Sequence, residues 1–308
     1  SFCLEFAQVF LSVRVSSLSD LVLNSLGSVA GGGLALFWGG NWVWGRKIRS
    51  LRREKFASGS LANIGLTTVF FWILSQLSPL VPSLSISNLR HGLKPVWYTL
   101  SGQAAFFPLQ AFGYFFSIVA LGAILLSMGT SRRFALIFFA VGVLAVLALK
   151  VPVLSRQLSL EALLGCSAAL LFVGLVSGVS GRILAACAGI FLVTAFMCGS
   201  LRPGSSSEFY AFNWIPFKGH MRNIVGLTGI LWSSWIFLGI GYAVRFLTSP
   251  GQRRTLMLSG GLGVFCLTFG VELLQRTIPG RSPDMTDVLI AVVAWAMAWV
   301  GEPWRGHC

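Results

Sequence analysis

The sequence predicts an all-α, polytopic membrane protein, with about nine full transmembrane helices and a partial one at its N-terminus. Three observations carry that reading. Of the 308 residues, 10% are charged, against about 25% in an ordinary soluble domain. Hydrophobic residues make up 55%, and the mean hydropathy is +0.80. The apolar residues also fall into runs that approach or exceed the roughly 20 residues a helix needs to cross the hydrocarbon core.

Taken in order, residues 1–11 read as the end of a helix, and a short loop near Ser12–Ser17 holds Arg14. The chain starts without Met and inside an apolar stretch, which predicts that helices upstream of it are missing. A helix from about Asp20 to Trp44 follows, its start suited to Ser and Asp as caps and its end marked by Trp38, Trp42 and Trp44, as in an interfacial aromatic belt. The basic run from Arg46 to Lys55 ends it. Further spans are expected at about 61–81, 104–129, 133–150, 158–178, 181–199, 224–247, 255–275 and 285–301. Two connections, 82–103 and 200–222, are long and mix basic residues with aromatics. Each fits a short interfacial helix or loop, or a rim over a polar site. The implied organisation is 1–50, 51–205 and 206–308.

The formal net charge of +14 does not point to nucleic acid. Six of the 23 Lys and Arg residues lie between Arg46 and Lys55, and most others sit in loops between apolar runs. Charge so placed sets membrane orientation and meets anionic headgroups, so the lipid bilayer is the expected partner. With the basic run inside, Arg14 and Arg281 both fall in outside loops. The six cysteines are scattered without a CxxC pair, and His91, His220 and His307 are isolated, so neither a metal site nor a cofactor motif is expected. Gly31–Gly33 and Gly260–Gly263 lie within apolar runs, unlike phosphate loops, which follow strands.

The polar residues themselves repeat. Glu5, Gln8, Arg14 and Asp20 recur as Glu272, Gln275, Arg281 and Asp287, each displaced by the same number of residues. With only nine acidic residues in the chain, this order and register predict an internal duplication. Glu5 and Gln8, like Glu272 and Gln275, are three apart and share a helix face, and Asp20 and Asn24 share a face of the next helix. In an antiparallel hairpin these faces meet, with Arg above them, able to fork onto a carboxylate or a phosphate. Ionisable groups in a membrane are costly and normally face the interior with a partner. The cluster therefore reads either as a clamp on the hairpin or as a binding site. Asn24, Gly27 and Gly31 correspond to Ala291, Ala294 and Ala298, so the second copy keeps small size and loses the amide.

The motif Glu5-x2-Gln8-x5-Arg14-x5-Asp20-x3-Asn24-x2-Gly27-x3-Gly31 resembles that of the VanZ-like membrane proteins. Residues 210–301 resemble a whole VanZ-like domain, opening with Asn213-Trp-Ile-Pro216-Phe217. The resemblance covers about 1–45 and 210–301, and leaves 60–200 without a counterpart. It implies a multi-pass protein of the bacterial inner membrane and cell envelope, with a link to glycopeptide antibiotic resistance; it implies no particular reaction. The expected function is binding, or binding and processing, of a lipid-linked or anionic envelope substrate at an outward-facing site. The expected site residues are Glu5, Gln8, Arg14, Asp20, Asn24, Glu272, Gln275, Arg281 and Asp287. A transporter built on parallel repeats, and a scaffold contacting other envelope membrane proteins, are the alternatives.

Overall fold

The computed structural model describes residues 25, 28, 29, 31, 32, 43–204, 206–217 and 224–300. The chain divides into two compact units, Ser1–Lys55 and Phe56–Cys308. In the first, the motif residues Glu5, Gln8, Arg14, Asp20 and Asn24 lie outside the described residues. Residues 25, 28, 29, 31 and 32 are helical, and its helix with described bounds is α1, Val43–Lys55. The basic run is therefore helical, not the terminator its composition suggests. Arg, Lys, Leu and Glu are all good helix formers, and neither Gly nor Pro interrupts Arg46–Lys55. Its described side chains are mostly exposed, and Lys55 pairs with Glu54.

The second unit is helical throughout its regular structure among the described residues. Its helices are α2 (Ser60–Leu77), α3 (Ile86–Leu100), α4 (Pro108–Met128), α5 (Arg132–Lys150) and α6 (Leu160–Val176). They continue with α7 (Gly181–Ser200), α8 (Ile224–Leu247), α9 (Arg253–Gln275) and α10 (Met285–Met297). Six of them, α2, α4, α5, α7, α8 and α9, are long and apolar enough to cross a membrane. Two expected spans, α6 with 17 residues and α10 with 13, are apolar but short of that length. The expected span over 20–44 lies largely outside the described residues.

The boundaries have local causes. Helix α2 stops at Leu77, not near residue 81, because Pro79 biases Ser78 to the extended backbone it adopts and cannot donate to the preceding turn. The 82–103 connection, expected as a short helix or loop, contains a helix, α3, capped by Ser85, which accepts from the Asn88 amide. Its Gly92 carbonyl accepts from the Leu158 amide, and His91 meets Gln157 at 2.8 Å, so α3 is tied to the loop after α5.

Helices α4 and α8 are the two hubs. Helix α4 packs on α6, α7 and α5, while α8 packs on α2, α7 and α10. Helix α6 runs parallel to α4, with Gly165 against Ala111 and Tyr114, and Val173 against Gly122. Helix α7 runs antiparallel to α8, pairing Gly189 with Ala243 and Gly199 with Trp232. Small residues let these backbones approach, which matters in lipid, where packing rather than water exclusion holds helices together. The core between them is apolar: Ile118, Leu121, Ile124, Leu192, Trp235, Ile236 and Phe237 are all fully buried.

A polar cavity at one end of the helical bundle

The second copy of the motif begins on α9, whose last turns carry Glu272 and Gln275. Their three-residue spacing puts both on the buried face, and Gln275 Nε2 donates to Glu272 Oε1 at 3.3 Å. The chain then turns through 276–284 and returns as α10, antiparallel to α9, so the expected hairpin forms. Glu272 is 3% exposed, and its other oxygen accepts from the Asp284 amide at 2.8 Å. A carboxylate at the end of one helix thus ties down the start of the next, satisfying an orphan donor where water is scarce.

Asp284 is the N-cap of α10. Its Oδ1 accepts from the Thr286 amide at 2.7 Å and from the Thr286 hydroxyl, while Oδ2 accepts from Asn213 Nδ2 at 2.7 Å. Asn213 comes from the segment with the Asn-x-x-Pro-Phe pattern. That segment runs alongside the α9–α10 loop: the Asn213 amide donates to Pro283 O, and the Met285 amide to Asn213 O. The Phe217 amide donates to Thr286 Oγ1 at 2.7 Å. Of the expected helix or loop, residues 206–217 are therefore the loop, a strap that caps α10. Backbone meets backbone where the strap begins: a Cβ on Gly204 would lie 2.0 Å from Gly280 O, and Gly280 has φ of +71°. Only glycine fits that pair.

Arg281 departs from expectation in its partners. Its Nε donates to Arg202 O at 2.6 Å, and its Nη2 to Gly199 O. It forks onto main-chain carbonyls at the end of α7, not onto a carboxylate. Burial pulls its guanidinium below the usual range and nearby Arg202 adds to that, while Glu272 and Asp287 act in the opposite sense. Asp287, three residues past the cap, is half-buried near both groups. The small positions also find a use. Ala291, Ala294 and Ala298 are buried, and Ala298 packs on Gly241 of α8.

All four motif residues of this copy line one cavity of about 770 Å³. It lies at the end of the bundle where α2, α5, α7 and α9 finish and α4, α6, α8 and α10 begin. Asp284 and the cavity's other cations, Lys150, Arg156 and Arg202, lie outside the repeated motif. Asp284 had a signal: an Asp with another acid three residues on, opening an apolar run, is an N-terminal capping pattern. Lys150 had one too, as a lone charge ending an apolar helix. Arg156, in the loop after α5, had none. It donates through Nε to Ser78 O at 2.5 Å, and through Nη2 to Ser75 O at 3.2 Å and Thr228 Oγ1 at 2.8 Å. Burial lowers its pKa as well, opposed by Tyr114.

No family model matches the chain, and neither a curated protein nor a solved structure shows detectable similarity to it.

Proposed function

We propose that this chain is a VanZ-like protein of the bacterial inner membrane that binds a lipid-linked or anionic cell-envelope substrate in the polar cavity. The observation that carries the reading is the cavity itself, which collects Glu272, Gln275, Arg281 and Asp287 on its wall together with cations from three other parts of the chain. Its volume falls within the roughly 300–1,000 Å³ usual for small-molecule sites. Buried charge in a membrane bundle is costly and is kept where a ligand or pathway uses it. The cavity lies at the end of the bundle opposite Arg132, Arg133, Arg182, Arg253 and Arg254. With those arginines in the cytoplasm, the cavity opens outward.

A clamp without a ligand is the second reading, favoured by the use of Glu272 and Asp284 as helix caps. Asp287→Asn combined with Gln275→Leu separates the two. These changes leave the cap on Asp284 in place and alter the cavity wall. The proposal expects loss of an envelope phenotype, read as glycopeptide susceptibility, at unchanged membrane abundance. An unchanged phenotype at normal abundance would leave only the clamp.

A further inference from the structure

The arginines of the cavity are largely committed to the fold. Arg281 and Arg156 each give two or more donors to main-chain carbonyls at the ends of α7 and α2. Lys150 is different. It is 5% exposed, it ends α5, and it lines the cavity. Among the described residues it has neither an ion pair nor a hydrogen bond from its ammonium. Its ammonium lies over the face of Tyr114, 5.2 Å from the ring centroid, and near the Cys166 thiol. Neighbouring helices supply Gln76, Gln110 and Ser117 to the same cavity, all able to donate to an oxyanion. A nearly buried ammonium that shares one cavity wall with neutral donors from α2 and α4 matches a tetrahedral oxyanion that accepts bonds from several directions.

We propose that Lys150 anchors a phosphate subsite in this cavity, so that the ligand is a phosphorylated compound held by its phosphate group. This rests on the reading of the cavity as a binding site, and adds a residue and a ligand class that the Glu-Gln-Arg-Asp motif does not include. An apolar residue of similar length at position 150 would avoid the cost of burying charge. The charge is instead kept facing the cavity. The phosphate could be free or borne by a lipid, and the volume of about 770 Å³ exceeds what one phosphate ion fills.

The test uses the full chain in a neutral detergent, with dodecyl phosphate, inorganic phosphate and dodecanol as probes. Trp72, Trp232 and Trp235 line the cavity, so intrinsic fluorescence reports its occupancy. Dodecyl phosphate is expected to bind, and Lys150→Met to weaken it by roughly tenfold or more, the usual size of one lost charge-assisted hydrogen bond. Lys150→Arg should recover part of that affinity. Inorganic phosphate binding as well as dodecyl phosphate, with the same dependence on Lys150, identifies free phosphate as the ligand; preference for dodecyl phosphate identifies a lipid-borne one. Thermal unfolding of Lys150→Met verifies the fold, and Tyr114→Leu, which removes the ring under the ammonium, is the second variant should Lys150→Met not fold. Equal binding of dodecanol and dodecyl phosphate, or equal affinity in wild type and Lys150→Met, overturns the proposal. Loss of dodecyl phosphate binding in Asp287→Asn with Gln275→Leu, but not in Lys150→Met, would sink the Lys150 subsite while leaving the cavity reading intact.

Discussion

Arg281, Arg156 and Arg245 finish helices in this protein. Arg281 takes the carbonyls of Gly199 and Arg202, and Arg156 those of Ser75 and Ser78. Arg245 donates through Nη1 to Ala298 O and through Nη2 to Ser60 Oγ. The last carbonyls of a helix have no intrahelical donor and carry partial negative charge, so a buried guanidinium satisfies them geometrically and electrically. Carboxylates do the converse at helix starts: Glu161 accepts from the Phe107 amide ahead of α4, and Glu272 from the Asp284 amide ahead of α10. Glu272→Leu leaves that buried amide without an acceptor and should destabilise the protein by about 1–3 kcal/mol. Glu272→Gln keeps a carbonyl in place and should cost less. Thermal unfolding in detergent ranks the two, and equal midpoints would remove Glu272 from its capping role.

Helix packing follows the placement of small side chains. Ala298 of α10 sits where a Cβ on Gly241 would lie 2.5 Å from its own. The two helices run parallel at this contact, and Trp295 folds across α9, its indole donating to Met257 O at 2.9 Å. Gly241→Leu must separate α8 from α10, and overpacking of this kind typically costs about 1–3 kcal/mol. A lower unfolding temperature is expected, with partial recovery in Gly241→Ala, which demands less room. The strap at 206–217 is the other element that depends on close approach, through the Gly204–Gly280 contact and the Asn213–Asp284 bond. It holds the start of α10 against α9, and so fixes where Asp287 stands in the cavity.

At the level of the molecule, polarity is distributed along the bundle. One end of the second unit gathers the cavity with its acids and cations, and the other carries Arg132, Arg133, Arg182, Arg253 and Arg254 near the helix ends. The proposed orientation makes the cavity end external, and cysteine labelling checks it. In a chain whose six native cysteines have been replaced, Ser282→Cys should react with a membrane-impermeant maleimide in intact cells, and Arg133→Cys should react only after permeabilisation. Both positions are exposed, so accessibility within the fold does not confuse the result. Reversed labelling would place the cavity in the cytoplasm and end the outward-facing reading.

Membrane class, helix positions and the pairing of Glu272 with Gln275 were legible from residue order, because hydropathy and helical periodicity are local properties. The α9–α10 hairpin was legible for the same reason: the chain between Gln275 and Met285 is too short for anything but an antiparallel return. The partners of Arg281 were not, since Gly199 and Arg202 stand about eighty residues away and a carbonyl has no residue-type signature. Nor was the meeting of Lys150, Arg156 and Thr228 with the motif in one cavity, which depends on α2, α4, α7 and α8 packing together. Glu272, Gln275, Arg281 and Asp287 marked where polar chemistry lies in the second unit. Packing settled how that chemistry is used, because a buried polar group takes whichever partner the fold brings within reach, and here that was most often the end of a neighbouring helix.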